Sequence, residues 1–267
     1  MGTLFKITAY TGNPQLLQKA FARARELDQI LSDYKPGSEL NQLCRAQQAI
    51  ASPDLFTVLQ TALQIAEQSQ GAFDPTVGPL VRQWREARKT GILPTPNLDA
   101  IGWRKIKLNS RTREVTLAQP NMQLDLGGIA KGYAAGEMLA TLKSEGIHRA
   151  LVAASGDLAI GDPPPGARGW RVRVANEILT LANCAVSTSG DSEQFIRIDG
   201  VRYSHIMDPR TGLGLVGRPA VTVIAPKGIH ADALATAISV LGEKEGRKLI
   251  DKWQNLRLFW HPIQPEN

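Results

Sequence analysis

The sequence is poor in the residues that build disulfide scaffolds and transition-metal centres. Its 267 residues include only two cysteines and four histidines. Cys44 and Cys184 lie far apart without a CxxC motif, and the histidines form neither HExxH nor a paired helix face. These absences argue against zinc ribbons, thioredoxin-like sites and disulfide frameworks. A metal ion held by hard oxygen ligands stays open.

Aromatic residues are also scarce, at 6% of the chain, and the formal net charge is +6. A modest positive charge suits anionic ligands. However, aromatic side chains do not alternate with the basic ones as they do on a nucleic-acid stacking platform. We therefore expect no nucleic-acid partner.

The chain has no apolar run near the ~20 residues that a membrane-spanning helix needs, so no membrane span is expected. Its first residues, MGTLFKITAY, lack the charged and apolar regions of a signal peptide and indicate a strand. The expected location is cytoplasmic as the chain reads, or periplasmic or membrane-associated if an export leader is missing from this sequence.

Hydrophobic periodicity predicts an α+β fold. Asn13 and Ser52, each followed by proline, are helix-start signals that precede apolar residues at helical spacing. Further along, short alternating runs such as KIKLN, EVTLA, MQLDL and ALVAAS indicate strands, and Asp199-Gly200 between FIRI and VRY predicts a tight hairpin. Helices interrupt these strands singly, which favours α+β over a regular parallel repeat. Because no Pro/Ser-rich linker divides the chain, residues 1–267 are predicted to form one domain.

Two segments combine polar residues with turn signals. GAFDPTVGPL has Asp74 before a proline, a pattern that is also typical of a plain Asx-Pro turn. LDLGGIAKGY leads from a predicted strand through Gly127-Gly128 to a helix with Lys131 in its first turn. Backbone N–H groups and a lysine at that point suit an anionic group, although a tight strand-to-helix turn explains the same pattern. Neither GxGxxG nor GxxxxGK[ST] is present, so a standard dinucleotide or P-loop site is not supported.

Two later segments add a histidine and a pair of oxygen ligands. YSHIMDPRTGLG carries His205 and Asp208 from a strand end into a turn, where a single histidine is often structural. HADALATA has Asp232 and Thr236 four residues apart, on one face of a helix start. These two oxygens suit Mg²⁺, while an aspartate in a first helical turn is also explained by the helix dipole.

In their order and spacing, these segments resemble the ApbE family. The resemblance covers nearly the whole chain through MGTLFKI, SDYKPGSELNQL, GAFDPTVGPLV, LDLGGIAKGYAA, STSGDSEQF, YSHIMDPRTG and VTVIAP followed by ADALATA. It implies an ApbE-like, T-fold-related structure with mixed, largely antiparallel sheets and helices inserted between strand pairs. The chain departs from the family where members commonly carry Asn-Ala-Gly-Gly-Asp, since Ala154 and Ser155 stand in this run before Asp157.

The resemblance also implies the residues of a site. The implied FAD contacts are Met1, Tyr34, Ala72, Phe73, Asp74, Asp125, Lys131 and Ile206. The implied Mg²⁺ ligands are Asp232, Thr236 and the backbone carbonyl of Gly128. His205, in the same segment as Ile206, is our candidate catalytic base, because an unperturbed imidazole pKa near ~6.5 suits proton transfer at neutral pH.

The implied activity is an Mg²⁺-dependent transfer of FMN from FAD to a protein. FMN would be attached covalently, through a phosphoester bond, to a threonine of an acceptor flavoprotein, with release of AMP. The acceptor is typically a subunit of a membrane redox complex. Two alternatives stay open at this point: a metal-dependent FAD pyrophosphatase that yields FMN and AMP, and a protein that binds FAD without turnover.

Overall fold

The computed structural model describes residues 2–190 and 194–261. Within these residues the α-helices are α1 (Leu17–Leu31), α2 (Glu39–Ala46), α3 (Pro53–Gln68), α4 (Gly78–Thr90), α5 (Ala130–Ser144), α6 (Gly228–Leu241) and α7 (Glu243–Ile250). The strands are β1 (Phe5–Ala9), β2 (Gln48–Ile50), β3 (Ile106–Asn109), β4 (Glu114–Leu117), β5 (Ala150–Ala154), β6 (Asp157–Ile160), β7 (Trp170–Val174), β8 (Glu177–Leu181), β9 (Cys184–Ser189), β10 (Phe195–Ile198), β11 (Val201–Ser204), β12 (Val221–Ala225) and β13 (Arg257–Trp260).

The predicted helix starts form through side-chain caps. The Ser52 hydroxyl accepts a hydrogen bond from the Leu55 backbone N–H at 3.3 Å, and Pro53 follows as the first residue of α3. Asn13 likewise accepts from the Gln15 N–H, but the residues directly after it form a short 3-10 turn before α1 begins. Each cap satisfies a backbone donor that has no partner within its helix.

The framework of the molecule is a six-stranded sheet in the order β1-β5-β6-β9-β12-β13. Every neighbouring pair in it is antiparallel, as the α+β prediction requires. Helices α5 and α6 pack against this sheet and against each other. Because α6 is apolar on nearly all sides, it is buried almost throughout its length.

Smaller sheets lie beside this framework. Strands β2, β4 and β3 form a three-stranded sheet, and β7-β8 and β10-β11 form separate hairpins. The predicted turn between β10 and β11 is confirmed: Asp199 and Gly200 both have positive φ, at 50° and 77°. This is the backbone conformation that a two-residue hairpin loop needs.

Helices α5 and α6 approach each other unusually closely at two glycines. A Cβ added to Gly132 would lie 2.2 Å from the Gly228 carbonyl oxygen, and one added to Gly228 would lie 2.1 Å from that of Gly132. Only glycine therefore fits at either position. The crossing places Lys131, on α5, beside Asp232, on α6.

Two local predictions were wrong. MQLDL, at residues 122–126, is not a strand but buried irregular chain, in which the Asp125 N–H donates to the Pro75 carbonyl instead of to a strand. Helix α6 begins at Gly228, two residues earlier than HADALATA indicates. Asp232 consequently lies in the second turn, so helix capping does not explain it.

Among the described residues, none of the helices combines the length and the apolar character that crossing a membrane requires.

Candidate active site

The predicted site residues lie on the wall of one cleft of about 400 Å³. This holds for every one of them within the described part of the chain: Tyr34, Ala72, Phe73, Asp74, Asp125, Gly128, Lys131, His205, Ile206, Asp232 and Thr236. Met1 lies outside the described residues, as do residues 191–193 of the STSGDSEQF segment. Segments separated by as much as three quarters of the chain thus meet in one concave surface.

Lys131 lies in the first turn of α5 and lines this cleft. Its Nζ lies 3.3 Å from Asp157 Oδ2 and 3.5 Å from Asp232 Oδ1, and it donates a hydrogen bond to the Gly127 carbonyl at 2.8 Å. Burial by itself lowers the pKa of Lys131, but the two carboxylates raise that pKa above its usual value. Lys131 is therefore a fixed positive charge at neutral pH.

The two carboxylates beside Lys131 are both buried. Asp157 accepts a short hydrogen bond from the Ser187 hydroxyl, and Asp232 Oδ2 accepts one from the Gly132 N–H at 2.9 Å. Burial and the neighbouring Asp157 raise the pKa of Asp232 well above its usual range. One lysine facing two carboxylates leaves this corner short of positive charge, which a bound cation would supply.

Thr236 lies one turn further along α6, next to Gly128. A Cβ at Gly128 would stand 2.9 Å from Thr236 Oγ1, so a side chain at position 128 would press against the hydroxyl. The Gly128 backbone, the Thr236 hydroxyl and the Asp232 carboxylate thus meet at one side of the cleft. All three offer oxygen atoms, the ligands that Mg²⁺ prefers.

Asp125 occupies the irregular segment before Gly127. Its Oδ1 accepts a hydrogen bond from the Gly127 N–H at 2.7 Å, and its Oδ2 lies 3.7 Å from an Arg85 nitrogen. Burial and the negative charge of Asp33 raise the pKa of Asp125 to about 6. Asp125 lines the cleft, where its carboxylate can accept a hydrogen bond from an N–H or O–H group of a ligand.

Asp74 organises its own loop. Its Oδ1 accepts from both the backbone N–H and the hydroxyl of Thr76, at 2.9 and 2.6 Å, and its Oδ2 accepts from the Trp103 N–H at 2.9 Å. Burial raises the pKa of Asp74 in spite of these bonds. The Asx-Pro turn weighed above for this segment therefore does form, and it holds Ala72 and Phe73 against the cleft.

His205 lies directly after β11, and both His205 and Ile206 line the cleft. Its Nδ1 is 3.1 Å from the Gln194 carbonyl oxygen, and its ring meets Trp84 edge-on with centroids 6.4 Å apart. A carbonyl only accepts hydrogen bonds, so this contact assigns the proton to Nδ1 and the lone pair to Nε2 in the neutral ring.

Among the residues that the structure describes, the site prediction missed three charged residues of the cleft: Asp33, Arg85 and Asp157. The sequence did contain a signal for Asp157, because this aspartate is the first residue of an otherwise apolar strand, and the structure shows that it is buried. Asp33 stands beside Tyr34 in the SDYKPGSELNQL segment, which was the only signal for it, and Arg85 had no signal because a charged residue on an exposed helix face is ordinary.

Both the sequence and the fold of this chain are similar to those of one protein family. Residues 1–260 match the ApbE family along their whole length. The chain belongs to the ApbE family. An FAD:protein FMN transferase from Treponema pallidum is 31% identical over 98% of this chain and 83% of its own length. One from Vibrio cholerae is 32% identical over 92% of this chain and 80% of its own length.

Solved ApbE structures have the same fold. A histidine-to-glycine variant of the flavin transferase ApbE from Vibrio cholerae superposes with a TM-score of 0.87 at 28% identity, covering 97% of this chain and 90% of the other. The apo flavinyl transferase ApbE from Pseudomonas stutzeri gives 0.85 at 28% identity, over 97% and 88%. The predicted family, the ApbE-like α+β fold and the transferase class are thereby confirmed. The relatives' shared name supports flavin transfer as the activity.

Proposed function

We propose that this ApbE-family chain is an Mg²⁺-dependent FAD:protein FMN transferase. It attaches FMN to a threonine of an acceptor flavoprotein through a phosphoester bond and releases AMP. The observation that carries this proposal is the convergence of the site residues on one cleft around Lys131. The relatives named FAD:protein FMN transferase support it independently.

The reaction is a displacement at phosphorus. The threonine Oγ attacks the phosphorus of the FMN half, a new P–O bond forms, and the bond from that phosphorus to the bridging oxygen breaks. The bridging oxygen leaves with AMP. Such transfers depend mainly on positioning and on neutralising the charge of the phosphoryl oxygens.

Lys131 and the helix dipole at the start of α5 offset part of the negative charge of Asp157 and Asp232, and a bound Mg²⁺ would offset the rest. The lysine is charged and held by three oxygen acceptors, so its position is fixed before the substrate arrives. The adjacent N-terminus of α5 directs the positive end of the helix dipole to the same region. Both stabilise a diphosphate.

The residues beside Lys131 fit a bound Mg²⁺. The Asp232 carboxylate, the Thr236 hydroxyl and the Gly128 carbonyl would hold it, and diphosphate oxygens complete such shells. When bound, the ion neutralises charge on the bridging and non-bridging oxygens of the diphosphate.

His205 accepts the proton of the attacking threonine. The hydrogen-bond contact between Nδ1 and the Gln194 carbonyl orients the ring and leaves Nε2 as the basic nitrogen. The edge contact with Trp84 limits rotation of the ring.

The test is incubation of the purified protein with FAD and Mg²⁺, with and without an acceptor flavoprotein that carries its threonine. The expected result is covalent flavin on the acceptor, detected by in-gel fluorescence and intact mass, with AMP in equal amount. An acceptor with threonine replaced by alanine is the control and should stay unlabelled.

Two other outcomes would contradict the proposal. Release of free FMN and AMP in the presence of a competent acceptor would identify an FAD pyrophosphatase, in which water attacks instead of threonine. FAD binding with neither product would identify a flavin-binding protein without turnover.

A further inference from the structure

Arg85 has no role in the reaction above, yet it is the centre of a cluster that contains two of the implied FAD contacts, Tyr34 and Asp125. It lies on α4 with its guanidinium carbon 3.9 Å from the centroid of the Tyr34 ring. One of its terminal nitrogens is 2.6 Å from Asp33 Oδ2 and 3.7 Å from Asp125 Oδ2. All four residues line the cleft.

The ring of Tyr34 has an unusual environment for an aromatic residue. Its side chain is 63% exposed although the guanidinium covers one ring face. A planar cation at this distance fixes the orientation of an aromatic ring by cation–π attraction. The ring is therefore held in place while much of its surface stays accessible to a ligand.

The charges of the cluster do not cancel. Asp33 and Asp125 are both mostly buried, with 18% and 12% of their side chains exposed. They carry two negative charges against the single positive charge of Arg85. Without the arginine, two unpaired carboxylates would face a cleft whose proposed substrate is a diphosphate, and like charges repel strongly at low dielectric.

Tyr34 and Asp125 are already among the implied FAD contacts, and we propose that Arg85 is a further, positioning residue of their subsite for a planar heteroaromatic ring, in which it holds Tyr34 as a stacking surface and offsets the charge of Asp33 and Asp125. The ring stacks on Tyr34, and the Asp125 carboxylate accepts a hydrogen bond from one of its N–H groups. This inference rests on the proposed function, because FAD is the ligand whose rings would fill the subsite.

The experiment measures the dissociation constant of FAD by calorimetry, in EDTA and without acceptor, so that turnover does not interfere. Arg85→Met should weaken FAD binding about tenfold or more, because it removes both the ring support and the compensating charge. The FAD affinity of Arg85→Lys should lie between the affinities of the wild type and Arg85→Met, because lysine keeps the positive charge but cannot stack on the Tyr34 ring. Arg82→Met is the matched control on the same helix, since Arg82 is exposed, bonds to Gln123 and does not line the cleft.

A double variant separates positioning by charge from a merely structural role. In Arg85→Met/Asp33→Asn the cluster returns to the net charge of the wild type. FAD binding should therefore recover by about threefold or more relative to Arg85→Met, whereas damage to the fold would not be repaired by a second substitution.

The inference is overturned if Arg85→Met binds FAD as tightly as Arg82→Met does, or if the double variant binds no better than the single one. Should Arg85→Met fail to fold, wild-type affinity in Arg85→Lys would overturn the stacking role. If the wild type binds FAD neither in EDTA nor with Mg²⁺ present, the proposed function fails, and that result is distinct from all of these.

Discussion

At the scale of single residues, the cleft contains carboxylates that would be easier to bury uncharged. Asp125 and Asp232 both have raised pKa values because burial and a neighbouring aspartate disfavour their charged forms. Groups arranged in this way cost stability and are typical of functional sites. This loss of folding stability can be measured without any ligand.

Asp125→Asn should stabilise the protein at neutral pH. The folded pKa of Asp125 is about 6, above the ~3.9 of an unfolded aspartate. Between these values the folded state binds more protons than the unfolded state, so wild-type stability falls as pH rises from about 4 to 6. Asparagine keeps the acceptor for the Gly127 N–H and removes the charge.

Urea unfolding of wild type and Asp125→Asn at pH 4 and pH 7.5 checks this. The difference in unfolding free energy between the two proteins should grow by ~2–3 kcal/mol toward the higher pH. Asp99→Asn, at an exposed position, is the control and should show no such growth. A constant difference across this range would mean that Asp125 is not destabilised by its charge.

His205→Ala should slow flavin transfer ~10²-fold or more while FAD binding changes little, because a general base acts on the proton and not on the ligand. Single-turnover rates and FAD dissociation constants measure the two effects separately. His148→Ala, an exposed histidine that does not line the cleft, is the control. Equal losses of rate and binding in His205→Ala would identify a residue that positions the flavin.

At the scale of elements, the crossing of α5 and α6 sets the geometry of the site. Lys131 and Gly132 on α5 face Gly228 and Asp232 on α6, so the same contact that brings the helices together aligns the lysine with the carboxylate. Any change in helix separation alters the distance between these two charges.

Gly132→Ala should therefore reduce both stability and transfer activity. Its Cβ would lie 2.2 Å from a backbone carbonyl oxygen, which has no room to move without shifting α6. The expected cost is about 1–3 kcal/mol, as for overpacked cores.

Gly136→Ala provides the matched control for this substitution. It lies one turn further along α5, where a Cβ meets nothing within 4 Å. Replacing glycine by alanine inside a helix should stabilise the protein by about 0.5–1 kcal/mol. Thermal unfolding of the two variants distinguishes the close approach from a general effect of alanine, and equal stabilisation of both would contradict it.

Elements with local signals were predictable from the sequence, and elements stabilised by distant contacts were not. Caps at Ser52 and the Asp199-Gly200 turn act within a few residues, so their patterns were sufficient. The MQLDL segment alternates like a strand, yet its Leu124 N–H donates to the Cys44 sulfur and its Asp125 N–H to Pro75. Such partners depend on the tertiary fold and leave no periodicity.

At the scale of the whole molecule, the fold brings residues from separate segments of the chain together in one site. Asp74, Lys131, His205 and Asp232 lie far apart in sequence and face one cleft. Residue patterns alone indicated an anion-binding turn and an oxygen pair for a cation. That they form a single site was implied by the family resemblance, because long-range proximity cannot be read from spacing. Neither approach assigned a role to Arg85 or Asp33: no motif contains Arg85, and Asp33 lies in the SDYKPGSELNQL segment, in which only Tyr34 was assigned a contact.

In the proposed function, the Asp232 and Thr236 side of the cleft holds the Mg²⁺ used in FMN transfer. The most direct test is the rate of FMN transfer measured against Mg²⁺ concentration for wild type, Asp232→Ala and Thr236→Ala. Asp232→Ala should lose on the order of 10³-fold or more in rate, because an ion at the diphosphate contributes several kcal/mol. Thr236→Ala should lose less and be partly rescued by raised Mg²⁺, since water replaces a neutral hydroxyl but not a carboxylate charge. Wild-type turnover that persists in EDTA, or an unchanged Mg²⁺ dependence in Asp232→Ala, would contradict the claim.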